Sequence, residues 1–332
     1  MRGKFLGILL IAIVNYLLLT LIVFSFSFIS LKNGNVYDLL WIKYIQKKLY
    51  IDGGLRNIFQ HSTNDCVKFD ENLLYVPKEG ECKFSNPEFK TKLNFDKERR
   101  LNLVDDEINK DEEVIAVLGD SIAMGWGVEN DETFAYSLQN AIGKKVINFG
   151  VSSYGTVREI KRLKNSKFYN QINTIIIQYH LNDRGENIHM NPEKKYQRKE
   201  FDEYFGSYQN KTNSTKYLIR MYKKSLRLLI SHLNDLIFPT RNIDEKKFYK
   251  DLDALNKVIL KNFSNKDKRI IVFALREQWE KYLYDINKEY ENFEFFEIEI
   301  NSQHKFIVDD HPNKKGHDFI SQEIYKYLMS SV

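Results

Sequence analysis

The chain opens on a stretch with no polar face. From Phe5 to Leu31 no residue carries a charge, and that run exceeds the ~20 apolar residues needed to cross a bilayer. A cleaved signal peptide has an apolar core of only about 7–15 residues and a small-residue cleavage site. Here the core is longer, and the "SFSFIS" that follows it is a poor cleavage site. The pattern predicts an uncleaved signal anchor, a transmembrane helix over residues 1–34. Arg2 and Lys4 precede the run and favour a cytoplasmic N-terminus, which leaves the remainder periplasmic or extracellular on a single-pass membrane protein.

Beyond the anchor the period changes. Val36–Leu49 has apolar residues at helical spacing with lysines between them, an amphipathic helix. From His61 to about residue 110 the chain is polar and includes Pro77 and Pro87. Residues 35–110 are therefore expected to be an amphipathic helix and an irregular extension packed on the main domain. From Val114 short apolar runs recur at Val114–Leu118, Val146–Asn148, Asn173–Gln178, Arg269–Leu275 and Phe293–Ile298, with helical segments between them. Strands that alternate with helices predict a mostly parallel five-stranded sheet covered on both faces, a three-layer α/β/α sandwich over 111–332. A helical insertion lies at about 184–268. Helices are expected at Lys216–Phe238 and Asp244–Phe263, and a last one at Asn313–Met329.

Composition narrows the function classes. Of 332 residues 43% are hydrophobic and 29% charged, which describes a folded chain. The net charge of +5 is spread out, and no Lys/Arg cluster with interleaved aromatics points to nucleic acid. Cys66 and Cys82 are the only cysteines. Two are too few for a zinc site without nearby histidines, and they suit a disulfide in an exported domain as well as they suit two thiols.

In an open parallel sheet, ligands bind beyond the carboxyl ends of the strands. Gly119-Asp120-Ser121 follows the first run, and "NFGVSSYGT" with Gly150 follows the second. "YHLNDRGEN" with Asn182 and Asp183 follows the third, and "FIVDDHPNKKGH" with Asp309 and His311 follows the fifth. Four segments thus bring a hydroxyl, an imidazole, a carboxylate and amide donors to one edge, the parts of a hydrolytic site. No metal or other cofactor is called for: His317 lies six residues beyond His311, off its helical face.

These four blocks, in this order, resemble the SGNH/GDSL hydrolase family, in its membrane-anchored bacterial form. The resemblance implies the flavodoxin-like SGNH hydrolase fold and a serine esterase without cofactor. It implies Ser121 as nucleophile, His311 as base and Asp309 as orienter, with an oxyanion hole from the N–H groups of Ser121 and Gly150 and the amide of Asn182. Asp120, Trp126, His180 and Asp183 are candidates for the pocket. Two departures stand out. His180 occupies the place where the third block usually has glycine, and Val308 occupies the place, three before His311, where an aspartate often stands. The carboxylate then comes from Asp309, in a D-x-H spacing that resembles carbohydrate O-acetyl-modifying members; Asp310 is its competitor. The expected partner is an acyl-ester substrate, with O-acylated carbohydrate as the leading class. An O-acyltransferase with the same triad, an inactive carbohydrate-binding or assembly protein and a lipid-acting enzyme are the alternatives. Asp70–Leu93 resembles the segment that precedes the catalytic domain in membrane-anchored members, and is read as packing and edge cover for the sheet.

Overall fold

The computed structural model describes residues 2–51, 54–61, 66–102, 108–109, 114–189, 191, 193–206, 217–223, 245–263, 267–275 and 292–330. The uncharged run forms one helix, α1 (Arg2–Lys32), with apolar side chains exposed along it from Phe5 to Ile29. It is long and apolar enough to span a membrane or to act as a signal sequence. α2 (Leu40–Ile51) starts four residues later than the periodicity predicts. Its Ile45, Leu49 and Tyr50 bury against Phe24 and Leu31 of α1.

The segment expected to be irregular holds two antiparallel hairpins, a correction to the sequence reading. β1 (Val67–Asp70) pairs with β2 (Leu74–Pro77), and β3 (Gly80–Asn86) with β4 (Phe89–Phe95). The cause is period-2 alternation. Cys82 and Phe84 on β3, and Thr91, Leu93 and Phe95 on β4, point inward, while Lys83, Lys90 and Lys92 point out. Cys66 and Cys82 are joined in a disulfide, which ties the start of the first hairpin to the second. Arg100 bridges Phe95 on one side and Asn148 on the other, so the second hairpin reaches an edge of the main sheet.

That sheet has β5 (Val114–Leu118), β6 (Lys145–Asn148), β7 (Ile172–Gln178), β8 (Arg269–Leu275) and β9 (Glu294–Ile298), all parallel, in the order β6-β5-β7-β8-β9. Its strands are unbroken apolar runs because both faces are covered. On β5, Val114, Ala116 and Leu118 enter one core and Ile115 and Val117 the other. The first core is closed by α5 (Thr156–Lys164) and α8 (Glu245–Asn262), through Ile160, Leu163, Leu255 and Val258. The second is closed by α4 (Phe134–Ile142) and α9 (Lys314–Ser330), through Phe134, Leu138, Ile320 and Ile324. Each such side chain contributes about 1.5–3 kcal/mol when buried. The architecture is a three-layer α/β/α sandwich around a parallel five-stranded sheet. Three short helices lie on the connections: α3 (Ser121–Met124), α6 (Arg184–Ile188) and α7 (Arg198–Gly206). Of the helix expected at Lys216–Phe238, residues 217–223 are helical and the rest lies outside the described residues.

Candidate active site

The site begins where β5 ends. Gly119 has φ +147°, and a Cβ there would meet the Ala123 side chain at 2.7 Å, so glycine suits the sharp exit from the strand. Asp120 caps α3: its Oδ1 accepts the Ile122 N–H at 3.0 Å. Its Oδ2 accepts from the Asn182 amide at 2.8 Å, which ties the third block to the first. Ser121 is the first residue of α3, with its hydroxyl in the cleft.

The Ser121 Oγ lies 2.7 Å from His311 Nε2. His311 Nδ1 lies 2.5 Å from Asp309 Oδ1. A carboxylate only accepts, so Nδ1 carries the proton and Nε2 is left to accept from the serine hydroxyl. Asp309 Oδ2 is filled by other donors: the Tyr50 hydroxyl at 2.5 Å and the Trp126 indole N–H at 3.0 Å. The Arg56 Nε stands 3.7 Å away. Burial pushes the Asp309 carboxyl up, but the charge and hydrogen bond of His311, with Arg56 and Tyr50, outweigh it and hold it well below the usual carboxylate range. Asp310 turns outward instead, to Lys47 Nζ at 2.5 Å. Trp126 is a floor as well as a donor. Its ring stacks on His311 at 4.6 Å and lies under the Arg56 guanidinium at 4.7 Å.

Ser121, His311, Trp126, Arg56, Lys47 and Asp310 line a cleft of about 540 Å³ that also includes Ser152, Ser153, His180 and Asn182, with Asp309 and Tyr50 buried behind it. His180 keeps Asn182 in place through its Nδ1, which accepts the Asn182 backbone N–H at 3.2 Å. Two expectations need correction. Asp183 is fully buried behind the cleft rather than in it. It accepts from the Thr156 hydroxyl at 3.3 Å and the His180 N–H at 3.4 Å, so it braces the loop. Burial, then the charge of Asp120, raises its pKa well above the ordinary carboxylate value. Gly150 does not offer its N–H to the cleft, because Asn148 Oδ1 takes that hydrogen at 2.9 Å. A Cβ at Gly150 would collide with the Met124 and Ala123 backbone, so its role is close packing against α3. Ser153 lines the cleft instead, with φ +62° and a backbone N–H that has no acceptor among the described residues. His317, set apart from the site, is buried and accepts the Phe134 N–H at 3.2 Å.

Sequence reasoning missed Tyr50, Arg56, Ser153 and Glu88. The Glu88 carboxylate accepts the backbone N–H groups of Ile307, Val308 and Asp309 at 2.5, 2.9 and 2.8 Å. No local motif marks any of the four.

Among solved structures, the chain is similar to a G-D-S-L family protein from Desulfitobacterium hafniense DCB-2, at 12% identity and TM-score 0.37, covering 64% of this chain and 98% of that one. An acetyl xylan esterase from Butyrivibrio proteoclasticus matches at 14% and 0.37, over 68% of this chain and 66% of that one. A GDSL-like lipase from Bacteroides thetaiotaomicron matches at 11% and 0.35, over 70% and 95%. No curated protein sequence matches this one. The model of the GDSL-like lipase/acylhydrolase family matches residues 115–324, which contain Ser121, Asn182, Asp309 and His311. The chain therefore belongs to the GDSL-like lipase/acylhydrolase family and is a hydrolase that acts on ester bonds.

Proposed function

We propose that the chain is a membrane-anchored serine esterase that cleaves O-acyl esters of carbohydrate, or small esters, through Ser121, His311 and Asp309. The observation that carries this is the relay of 2.7 Å and 2.5 Å from the serine oxygen through the imidazole to a buried carboxylate. The Ser121 hydroxyl gives its proton to His311 Nε2 as its oxygen attacks the acyl carbonyl. Asp309 holds the tautomer and stabilises the imidazolium. The imidazolium proton passes to the departing alcohol oxygen, which leaves the acyl group on Ser121. Water, deprotonated by His311, then releases the acid and restores the serine.

The oxyanion is met by the Ser121 N–H, free as the first of its helix, by the Ser153 N–H and by the Asn182 amide. One such donor is worth about 3–4 kcal/mol of barrier. Carbohydrate is the favoured alcohol part because Asp309 and His311 have the D-x-H spacing, and because the cleft presents Ser152, Ser153 and Asn182. The membrane reading rests on α1, and the outward orientation on Arg2, Lys4 and the Cys66–Cys82 disulfide.

The test is a fluorophosphonate probe on the full-length protein in detergent, followed by mapping of the adduct. Label is expected on Ser121, and none in Ser121→Ala or His311→Ala. A folded protein that takes no label would overturn the esterase mechanism and leave the binding role.

A further inference from the structure

We propose that α2, with Arg56 beyond it, is a wall of the active site, and that Tyr50 of α2 is a positioning residue for Asp309, held in place by the packing of α2 on α1. The proposal rests on the Ser121–His311–Asp309 reading. In this view α1 is a structural part of the catalytic centre as well as a tether.

The argument starts from the two oxygens of Asp309. Only Oδ1 meets the His311 ring. The carboxylate can rotate about its Cβ–Cγ bond, so something must keep Oδ1 on the ring. The His311 backbone N–H holds Oδ1 at 3.1 Å, and Oδ2 adds a second hold through the Trp126 indole and the Tyr50 hydroxyl. A short O–H···O⁻ bond is the stronger kind, because the acceptor is charged. Tyr50 is 1% exposed, so its hydroxyl is shielded from bulk solvent.

What fixes Tyr50 is the next step. It shares an apolar cluster with Ile45 and Leu49 of α2, Phe24 and Leu31 of α1, and Val308. Val308 immediately precedes Asp309 and is fully buried. This explains the departure at that position. Where relatives resembling this chain often have an aspartate, an apolar side chain docks the catalytic loop onto the helix pair. Lys47 of α2 adds an exposed latch to Asp310, weak by itself. Glu88 gathers the three loop N–H groups from the hairpin side. Apart from Trp126, the side chains that grip the loop carrying the acid and the base, Tyr50, Lys47 and Glu88, all precede β5.

The experiment uses the full-length protein in nanodiscs, with 4-nitrophenyl acetate as substrate. Tyr50→Phe should lower kcat about tenfold with KM unchanged, the scale of one hydrogen bond to a charged group. It should also shift the low-field proton signal of the His311–Asp309 hydrogen bond, which loss of packing elsewhere would not move. Phe24→Ala with Leu31→Ala should lower kcat while membrane insertion stays complete. Leu9→Ala, on the exposed face of α1, should leave kcat unchanged. Tyr50→Phe with kcat within twofold of the parent and an unmoved proton signal overturns the positioning role. Full kcat in the Phe24/Leu31 variant overturns the part given to α1. Ser121→Ala in the same assay separates the two readings: if it retains turnover, the triad itself is wrong, and if it is inactive, failure at Tyr50 counts against this proposal alone.

Discussion

Replacing Asp309 by asparagine tests the orientation of the site most directly. Asp309 is 2% exposed and receives four donors: the His311 Nδ1–H and backbone N–H on Oδ1, and the Tyr50 O–H and Trp126 N–H on Oδ2. An asparagine has one acceptor oxygen. The indole on one side and the His311 backbone N–H on the other can only donate, so either placement of the amide leaves one donor facing its NH₂; with the oxygen on the Oδ2 side it satisfies Trp126 and Tyr50 together. That arrangement turns the amide NH₂ toward His311 Nδ1. The ring must then accept at Nδ1 and carry its proton on Nε2, the nitrogen that has to receive the Ser121 proton. A tautomer inverted in this way costs about 10⁴-fold in kcat in sites of this type. Asp310→Asn removes only an exposed pair with Lys47, worth about 0–1 kcal/mol, and should change kcat less than about fivefold. The assay is kcat on a soluble acetate ester, with the rate of fluorophosphonate labelling as a second readout and thermal melting to show that both variants fold. A loss of about 10³-fold or more in Asp310→Asn, with Asp309→Asn within tenfold of the parent, would refute the assignment and the tautomer argument with it.

Two further outcomes follow from the same geometry. Ser153→Ala should keep the esterase rate within a few-fold, because the proposed donor is its backbone N–H; Gly150→Ala should destabilise the fold by about 1–3 kcal/mol by driving a methyl into α3, and equal melting temperatures for the two would count against this division. Burial, with a smaller contribution from Arg100, pushes the His317 imidazole down to about 3, whereas the unfolded chain takes that proton near 6.5. Between these values the unfolded state binds the extra proton, so stability is complete above about pH 6.5 and falls by up to ~1.4 kcal/mol per unit toward pH 3. His317→Gln should flatten that slope in urea titrations run from pH 6 to 4, and an unchanged slope would show that other groups set it.

The sheet was readable because each strand is buried on both faces, and a buried parallel strand is a plain apolar run. The strand ends shift by only a residue, as at Ile172, where the sequence placed the start at Asn173. The hairpins were overlooked because their inward residues are spaced by lysines, so the segment looks polar when averaged although it alternates when read residue by residue. At the site, Ser121, Asp309 and His311 stood out because strand ends and a two-residue spacing mark them. Gly150 misled for a local reason. Asn148, two residues earlier, folds its side chain forward onto the Gly150 N–H, a side chain-to-backbone bond of the kind asparagine favours. The left-handed conformation of Ser153 has no sequence signal either, since serine seldom adopts it. Tyr50 and Glu88 reach the loop across more than two hundred residues of chain, and nothing local announces such a contact.

The same distances explain why the boundary between extension and catalytic region is not a mechanical one. α3 has four residues, too few to be stable by its own hydrogen bonds, yet it must hold Ser121 within reach of His311. Its far end is held from outside. Asn148 donates to the Ala123 carbonyl at 2.9 Å. Arg100, buried before β5, donates to the Met124 carbonyl, to Gly125 at 2.8 Å and to Val128 at 2.7 Å. Burial pulls the Arg100 guanidinium down to about 9, with Glu129 and Glu132 opposing, so it remains charged at neutral pH and its bonds to those carbonyls are of the stronger, charge-assisted kind. Ser121, the proposed nucleophile, is therefore anchored by Arg100, Asp309, the proposed orienting carboxylate, by Tyr50, and its loop by Glu88, and all three anchors precede residue 115, where the family match begins. A substitution in residues 40–100 can then disable catalysis without touching any residue that the family motif names.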